Sequence, residues 1–503
     1  MPYQQPTREE VRAAAAELGI ELNDAECDLH ISFMAPDLEA YGFVEPMEEP
    51  KPSLDPPDRT SRSPDPEENP LGAWHVRTDI RTSGEGRLSG RTVALSDNVC
   101  LAGVPMMVGT SMLRDYVPDI DATAVTRLLD AGATISGKAH CEYLGLASGS
   151  HTCDAGPVRN PHRPTHSSGG SSSGVAALVA SDTVDLGIGT DASGSVRVPS
   201  SWSGAVGMKP THGLVPYTGI LPLEATLDHT GPITATVADN ALMLEVLAGP
   251  DGLDPRQHGV TAHRYTEALT GECTGMRVGV VQEGFEVPDL QPEVADAVRG
   301  AGDVLAGLGA RVHDTKLPAY PLGVALWDLI ALEGHVRQLL GNGFGTGWRG
   351  LYVTGLAEEL RGWQSRAAEF PMAVKVALVM GNVFRRRHGG VTYAKAHNLL
   401  RALNEAYDAA LADYDVLVVP TTPMQATELP DADAPPEVSV RRAFEMVLNT
   451  VPCNATGHPA LNVPCAMRGG LPVGMMLIGR RWDEPAIYRL AHAFEQSGDW
   501  TSR

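Results

Sequence analysis

The chain has 503 residues, 43% of them hydrophobic, and a formal charge of −23 from 62 acidic and 39 basic side chains. That length and apolar content support a large core, and the acidic balance excludes a nucleic-acid or anionic-membrane partner, since both call for basic surface. The cysteines are odd in number, scattered and without CxxC spacing, which excludes a disulfide framework or zinc site and points to a reducing cytoplasm.

The N-terminus, MPYQQPTREE, lacks a basic segment followed by an apolar one, so no secretory signal is expected. No apolar run of about 18 residues occurs, so no transmembrane helix is expected. Thr7 and Glu10 form a capping-box pattern that opens an amphipathic helix through Leu18, stopped by Gly19. A second short helical segment follows to about residue 43. Residues 45–70 are rich in proline and charge and read as an extended strap. Residues 1–70 are therefore expected to form a peripheral helical extension, with the main domain at 71–503.

From Ala73 onward short β-rich runs alternate with helical stretches. Residues 122–131 read as a helix, 133–137 as the start of a strand, 237–247 as a helix and 276–281 as a strand. This alternation implies an α/β sheet with helices on both faces. Residues 284–410 are mostly helical, interrupted by Gly/Trp breaks at 341–350, and are expected to form a smaller subdomain over the mouth of the site. Residues 415–420 return to the sheet, and 484–496 form a terminal helix.

The chemistry concentrates in residues 167–214. A Gly/Ser-rich loop holding Ser171 runs into a small-residue helix, an apolar strand follows, and a tight Thr190-Asp-Ala-Ser-Gly-Ser195 turn comes next. Glycines around a serine let the backbone turn sharply and aim N–H groups at a bound oxygen, an arrangement suited to acyl transfer. The N–H groups of Ala192, Ser193, Gly194 and Ser195 could form the oxyanion donor set. Asp191 and Arg197 flank the turn and read as an ion pair that orients it. Ser172 also fits G-x-S-x-G, a pattern that a Ser/Gly-rich run meets by chance. No Gly-Lys-[Ser/Thr] follows the glycines, which argues against a phosphate loop. His162, His166 and the other histidines lack metal-ligand spacing, so no metal site is expected.

This stretch resembles the amidase signature family, whose pattern is roughly GGSSGG…GxDxGGSxRxPA…GxxGxKPTxG. GRTVALSDNVCLAGVPMMVGT (90–110), VLVVPTTP (416–423), NATGHPALNVP (454–464) and GGLPVGMMLIGRRWDE (469–484) resemble further family elements. The N-terminal extension is similar to that of the nitrile-pathway and aryl-acyl amidase branch. The resemblance implies an α/β/α sandwich around a large mixed β-sheet and a Ser–cis-Ser–Lys triad, with Ser195 as nucleophile and Ser171 as the cis-serine. It implies hydrolysis of a carboxylic amide without a cofactor. A small amide-like molecule is the expected partner, with a homodimer as the assembly.

Three positions depart from the family pattern. Ser96 stands where the family has the catalytic lysine of Lys-Asp-Asn. Ser193 and Ser173 replace glycines, and a Cβ at 193 would be strained if φ there were positive. A serine hydroxyl is far too weak a base to replace a desolvated amine. Candidates for a substitute base are His140, Glu142, His166 and Asp97; the sequence places none of them near Ser195, and each fits a structural or surface role better. The alternatives to hydrolysis are a catalytically silent ligand-binding homologue and an enzyme that transfers the acyl group to an amine or alcohol.

Overall fold

The computed structural model describes residues 4–82 and 84–503. The chain divides into two compact units, Met1–Ser53 and Leu54–Arg503. The smaller unit holds the helices Arg8–Glu17 and Asp24–Val44. Thr7 and Asn23 each close a capping box onto a glutamate three residues on. Arg8 pairs with Asp28 at 2.5 Å and Arg12 with Asp24 at 2.6 Å, joining the two helices.

The boundary expected at residue 70 therefore falls near residue 53. Residues 54–70 of the proline strap belong to the larger unit, where two features fix them. Arg59 forms a buried pair with Asp121 at 2.5 Å, and Ser61–Arg62 adds an edge strand.

Among the described residues the larger unit forms a twelve-stranded sheet. In chain order the strands are β1 (Ser61–Arg62), β2 (Trp74–Ile80), β3 (Thr92–Ser96), β4 (Thr134–Ala139), β5 (Leu186–Asp191) and β6 (Val206–Lys209). They continue as β7 (His229–Thr234), β8 (Arg277–Val281), β9 (Arg311–Thr315), β10 (Val416–Pro420), β11 (Ala460–Arg468) and β12 (Leu471–Ile478). Their spatial order is β1-β2-β4-β3-β5-β7-β6-β11-β12-β10-β8-β9. The β4-β3-β5 and β10-β8-β9 groups are parallel and the other pairings antiparallel, so the sheet is mixed as expected.

Successive side chains on a strand point to opposite faces, and the core records that alternation. Val416 and Val418 of β10 pack in one hydrophobic cluster, while Leu417 and Val419 pack in another on the far side. The first cluster receives the helices Val237–Leu247, Pro292–Gly307 and Glu484–Gln496. The second receives Tyr320–Leu340 and Val391–Asp413. The result is three layers, helix–sheet–helix.

The region 284–410 is mostly helical, contributes β9 to the common sheet and belongs to the same compact unit. Among the described residues no helix is long and apolar enough to cross a membrane.

Candidate active site

β3 and β5 are parallel neighbours, paired from Val93–Leu186 to Leu95–Ile188. Their C-terminal ends meet on one edge, the usual place for ligands in sheets of this kind. Ser96 closes β3 and Asp191 closes β5. Ser171 and Ser172 lie in the loop before the helix Ser173–Ala180, which leads back into β5. Ser195 lies in the turn between β5 and the helix Arg197–Ser203. Local strand and helix ends thus bring both serine loops to one edge.

The peptide Gly170–Ser171 is cis. The Ser172 N–H donates to the Ser195 carbonyl at 3.2 Å, which ties the two loops together. The Ser172 hydroxyl donates to the Thr190 carbonyl and accepts from the Thr190 N–H, at 3.3 and 3.2 Å. That fully buried hydroxyl pins the loop to β5 and is no elbow nucleophile.

The Asp191 carboxylate organises the turn that carries Ser195. It accepts from the N–H groups of Gly194 at 2.8 Å and Val196 at 3.1 Å. Arg197 grips it with two nitrogens at 3.0 and 2.9 Å. The pair is fully buried, a core ion pair with no solvent-facing part. Arg197 also donates to the Thr450 carbonyl at 2.9 Å and to Asn454 Oδ1 at 2.7 Å. Burial alone would push the Asp191 carboxyl up, but the guanidinium prevails and holds it below its ordinary value.

Two expectations change here. The Gly194 N–H is spent on Asp191, which removes it from the four N–H groups expected as oxyanion donors. Ser193 does not sit at positive φ; Gly194 does, at +126°, and a Cβ there would run into the Thr450 side chain. The glycine requirement therefore falls on 194. Similarly, Ser173 tolerates its side chain at the start of its helix, whereas a Cβ on Gly174 would lie 2.9 Å from both the N and O of His140.

Ser96 is 1% exposed, and its hydroxyl has no hydrogen-bond partner among the described residues. Alternation places it on the same face as Ala94, which packs with Val175 and Ala176 of the helix that follows the cis-serine loop. Lys138 of β4 is in register with Leu95 and so belongs to the opposite face. Its ammonium lies 3.2 Å from Asp97 Oδ1, and both side chains are fully buried.

The four substitute bases differ sharply. Asp97 also meets His75 Nδ1 at 3.0 Å and accepts from the N–H groups of Met107 and Val108. Burial alone would raise its carboxyl, but His75 and Lys138 prevail and hold it well below the usual carboxylate range. Burial pushes His140 down to about 4, and its Nδ1 lies 3.6 Å from Cys153 Sγ. His166 is bonded to Thr165 and lowered by burial. Glu142 is the member of this set that reaches the cis-serine loop: its backbone N–H donates to the Ser171 carbonyl at 3.2 Å. Its carboxylate accepts from Thr152, and burial raises its pKa.

A cavity of about 370 Å³ adjoins this edge. Ala192 and Ser193 form part of its wall, as do Gly145 and Ser148. A Cβ on Gly145 would lie 3.9 Å from Ser171 Oγ, which places the cis-serine hydroxyl beside the same wall. The helix Tyr320–Leu340 covers the cavity with Val324, Trp327 and Ala331, and Met380 and Phe444 come from two further helices. Trp327 Nε1 donates to the Ala192 carbonyl at 2.8 Å, binding the cover to the turn. Among the described residues no cluster of His, Cys, Asp and Glu could hold a metal.

Thr450, Trp327 and Lys138 join the site without any local sequence pattern to mark them, and Asn454, though it opens the 454–464 run, carries no sign there of its contact with Arg197. Their partners lie far away along the chain.

Residues 72–488 match the family described as Amidase. The chain is 45% identical over 472 residues to an enantioselective amidase of Rhodococcus rhodochrous, covering 92% of this chain and 91% of that protein. It is 36% identical over 426 residues to a glutamyl-tRNA(Gln) amidotransferase protein of Moorella thermoacetica, covering 84% and 86%. Its fold is similar to native peptide amidase from Stenotrophomonas maltophilia, with a TM-score of 0.68, 30% identity and coverage of 82% and 83%. It is also similar to the corresponding glutamyl-tRNA(Gln) amidotransferase protein of Thermotoga maritima, with a TM-score of 0.70, 27% identity and coverage of 86% and 88%. With its mixed sheet and its two joined serine loops, this chain belongs to the amidase signature family of amide-hydrolysing enzymes.

Proposed function

We propose that the protein hydrolyses carboxylic amides through an acyl-enzyme on Ser195, slowly in this sequence because Ser96 stands in place of the lysine base. The observation that carries this reading is the junction of the two serine loops beside a cavity. Ser171 follows a cis peptide, the Ser172 N–H is bonded to the Ser195 carbonyl, and Ala192 and Ser193 line the space. Similarity to an enantioselective amidase supports a small amide as substrate.

In the proposed cycle Ser195 Oγ attacks the amide carbonyl and passes its proton toward Ser171. The N–H groups of Ala192, Ser193 and Ser195 receive the developing oxyanion. Collapse of the tetrahedral species breaks the C–N bond as the amine takes a proton, and water then releases the acid. What the chain lacks is a strong acceptor behind Ser171. Glu142 is the substitute that contacts the cis-serine loop, and a carboxylate raised by burial is a weaker base than a neutral amine. Loss of a general base removes about 10²–10⁴-fold in rate.

The unpartnered, buried Ser96 hydroxyl favours a second reading, a homologue that binds an amide-like ligand and no longer turns it over. Acyl transfer to an amine or alcohol is the third. Ser96→Lys separates the first two. The expected outcome is a gain of about 10²-fold or more in amide turnover, abolished by a further Ser195→Ala change. A folded Ser96→Lys variant with no gain, and no acyl-enzyme by mass spectrometry, would establish the ligand-binding reading instead.

A further inference from the structure

The cavity beside Ala192 and Ser193 is walled almost wholly by apolar side chains, and among the described residues no lysine or arginine lines it. It contains one carboxylate, Asp328, on the helix that covers it. Asp328 is accessible, yet the apolar surroundings push its carboxyl up to about 6, and no neighbouring charge contributes to that shift. Among the described residues no cation stands within ion-pair distance of it. Among the described residues the only other titratable group in the wall is His335, two turns further along the same helix. Burial holds His335 down to about 4, so it is neutral near pH 7 and offers Asp328 no charge.

We propose that Asp328 makes this cavity selective for amides whose apolar body carries a protonated amine. This rests on the amide-hydrolase reading and names its substrate class. Three observations converge on a cation. The carboxylate lacks a partner, the wall holds no competing positive charge, and the chain as a whole carries −23. A net field of that sign concentrates cations at an acidic cleft and repels anions. An ammonium placed on Asp328 gains a charge-assisted hydrogen bond in surroundings of reduced dielectric, while the rest of the ligand buries its apolar surface against Trp327, Met380 and Phe444. The same geometry penalises an anionic substituent, which would meet Asp328 with nothing to neutralise it.

The test is equilibrium binding of three phenylacetamides to the full chain at pH 8. Trp327 fluorescence or calorimetry serves as the readout, because Trp327 lines the same cavity. The probes carry a para-aminomethyl, a para-ethyl or a para-carboxyl group. The ammonium probe is expected to bind about tenfold tighter than the ethyl probe, and the carboxyl probe weakest. Asp328→Asn is expected to remove the ammonium preference while leaving the ethyl probe unchanged, with Asp328→Ser as a second variant if the first does not fold. Equal binding of the ammonium and ethyl probes, a preference that survives both variants, or no binding of the ammonium probe would overturn the proposal. Acylation of Ser195 by the matching activated esters is followed separately by mass spectrometry. Acylation without charge discrimination sinks this inference and leaves the hydrolase reading standing. Charge-selective binding without acylation does the reverse.

Discussion

Asp191 is the residue on which the Ser195 turn is built, and Asp191→Asn isolates its charge at nearly constant volume. One carboxylate oxygen accepts from Arg197, Gly194 and Asn454, and the other from Arg197 and Val196. An amide can keep the first set of contacts only by pointing its NH2 group at the second. There it faces the Arg197 Nε–H and the Val196 N–H, donor against donor. The guanidinium is left fully buried without a counter-charge, and breaking a buried pair from one side costs about 3–5 kcal/mol. Denaturant unfolding followed by circular dichroism should show a loss of that size. Because the folded pKa of Asp191 lies below its unfolded value of about 3.9, its contribution is present above that pH and lost as pH falls through the folded value. The gap between parent and variant should therefore close on acidification. A double variant, Asp191→Ala with Arg197→Met, removes both charges and should recover part of the stability. It should not recover acylation of Ser195, because the Gly194 and Val196 N–H groups still lack their acceptor. A loss under about 1 kcal/mol in Asp191→Asn, or a double variant no more stable than the single, would refute the argument.

Two further outcomes follow from neighbouring groups. Gly174→Ala should cost about 1–3 kcal/mol, since its Cβ meets His140 backbone, whereas Ser173→Gly should cost about 1 kcal/mol or less; thermal melting of the two variants checks the order. Burial, with Arg197 nearby, pushes Lys209 down to about 7 from an unfolded value of about 10.4. A cation depressed in this way opposes folding fully below about pH 7, and the penalty disappears as pH rises toward about 10. Lys209→Met should therefore be more stable than the parent at pH 6, with the advantage shrinking from pH 7 to 10; a pH-independent difference would contradict that sign.

The parts of this molecule that can be read from the chain are those set by near neighbours. The Val237–Leu247 and Glu484–Gln496 helices match their expected bounds because periodicity and flanking breakers fix them locally. The turn after β5 is legible for the same reason, as is the loop before Ser173–Ala180. What escapes is long-range. Thr450 and Asn454 reach the nucleophile turn from more than 250 residues away. Trp327 arrives on a helix in a stretch whose sequence marks it only as mostly helical. The strap reads as part of the peripheral extension because a two-residue edge strand and a single buried arginine leave no compositional trace. Which N–H groups of the turn stay available, and which residue bears the positive φ, depend on where one carboxylate and one threonine side chain come to rest.

The pins that join β3, β5 and the cis-serine loop involve none of the atoms a base would supply. Asn98 donates to Thr190 at 3.0 Å, Thr190 holds Ser172, and Ser172 holds Ser195. Such a mould keeps its form when the part that drives turnover is taken away. Selection on catalysis and selection on shape can then act on separate positions. A lineage could abandon the chemistry through one codon and still inherit an intact receptacle, ready either for the lysine to return or for a new use of the space it encloses.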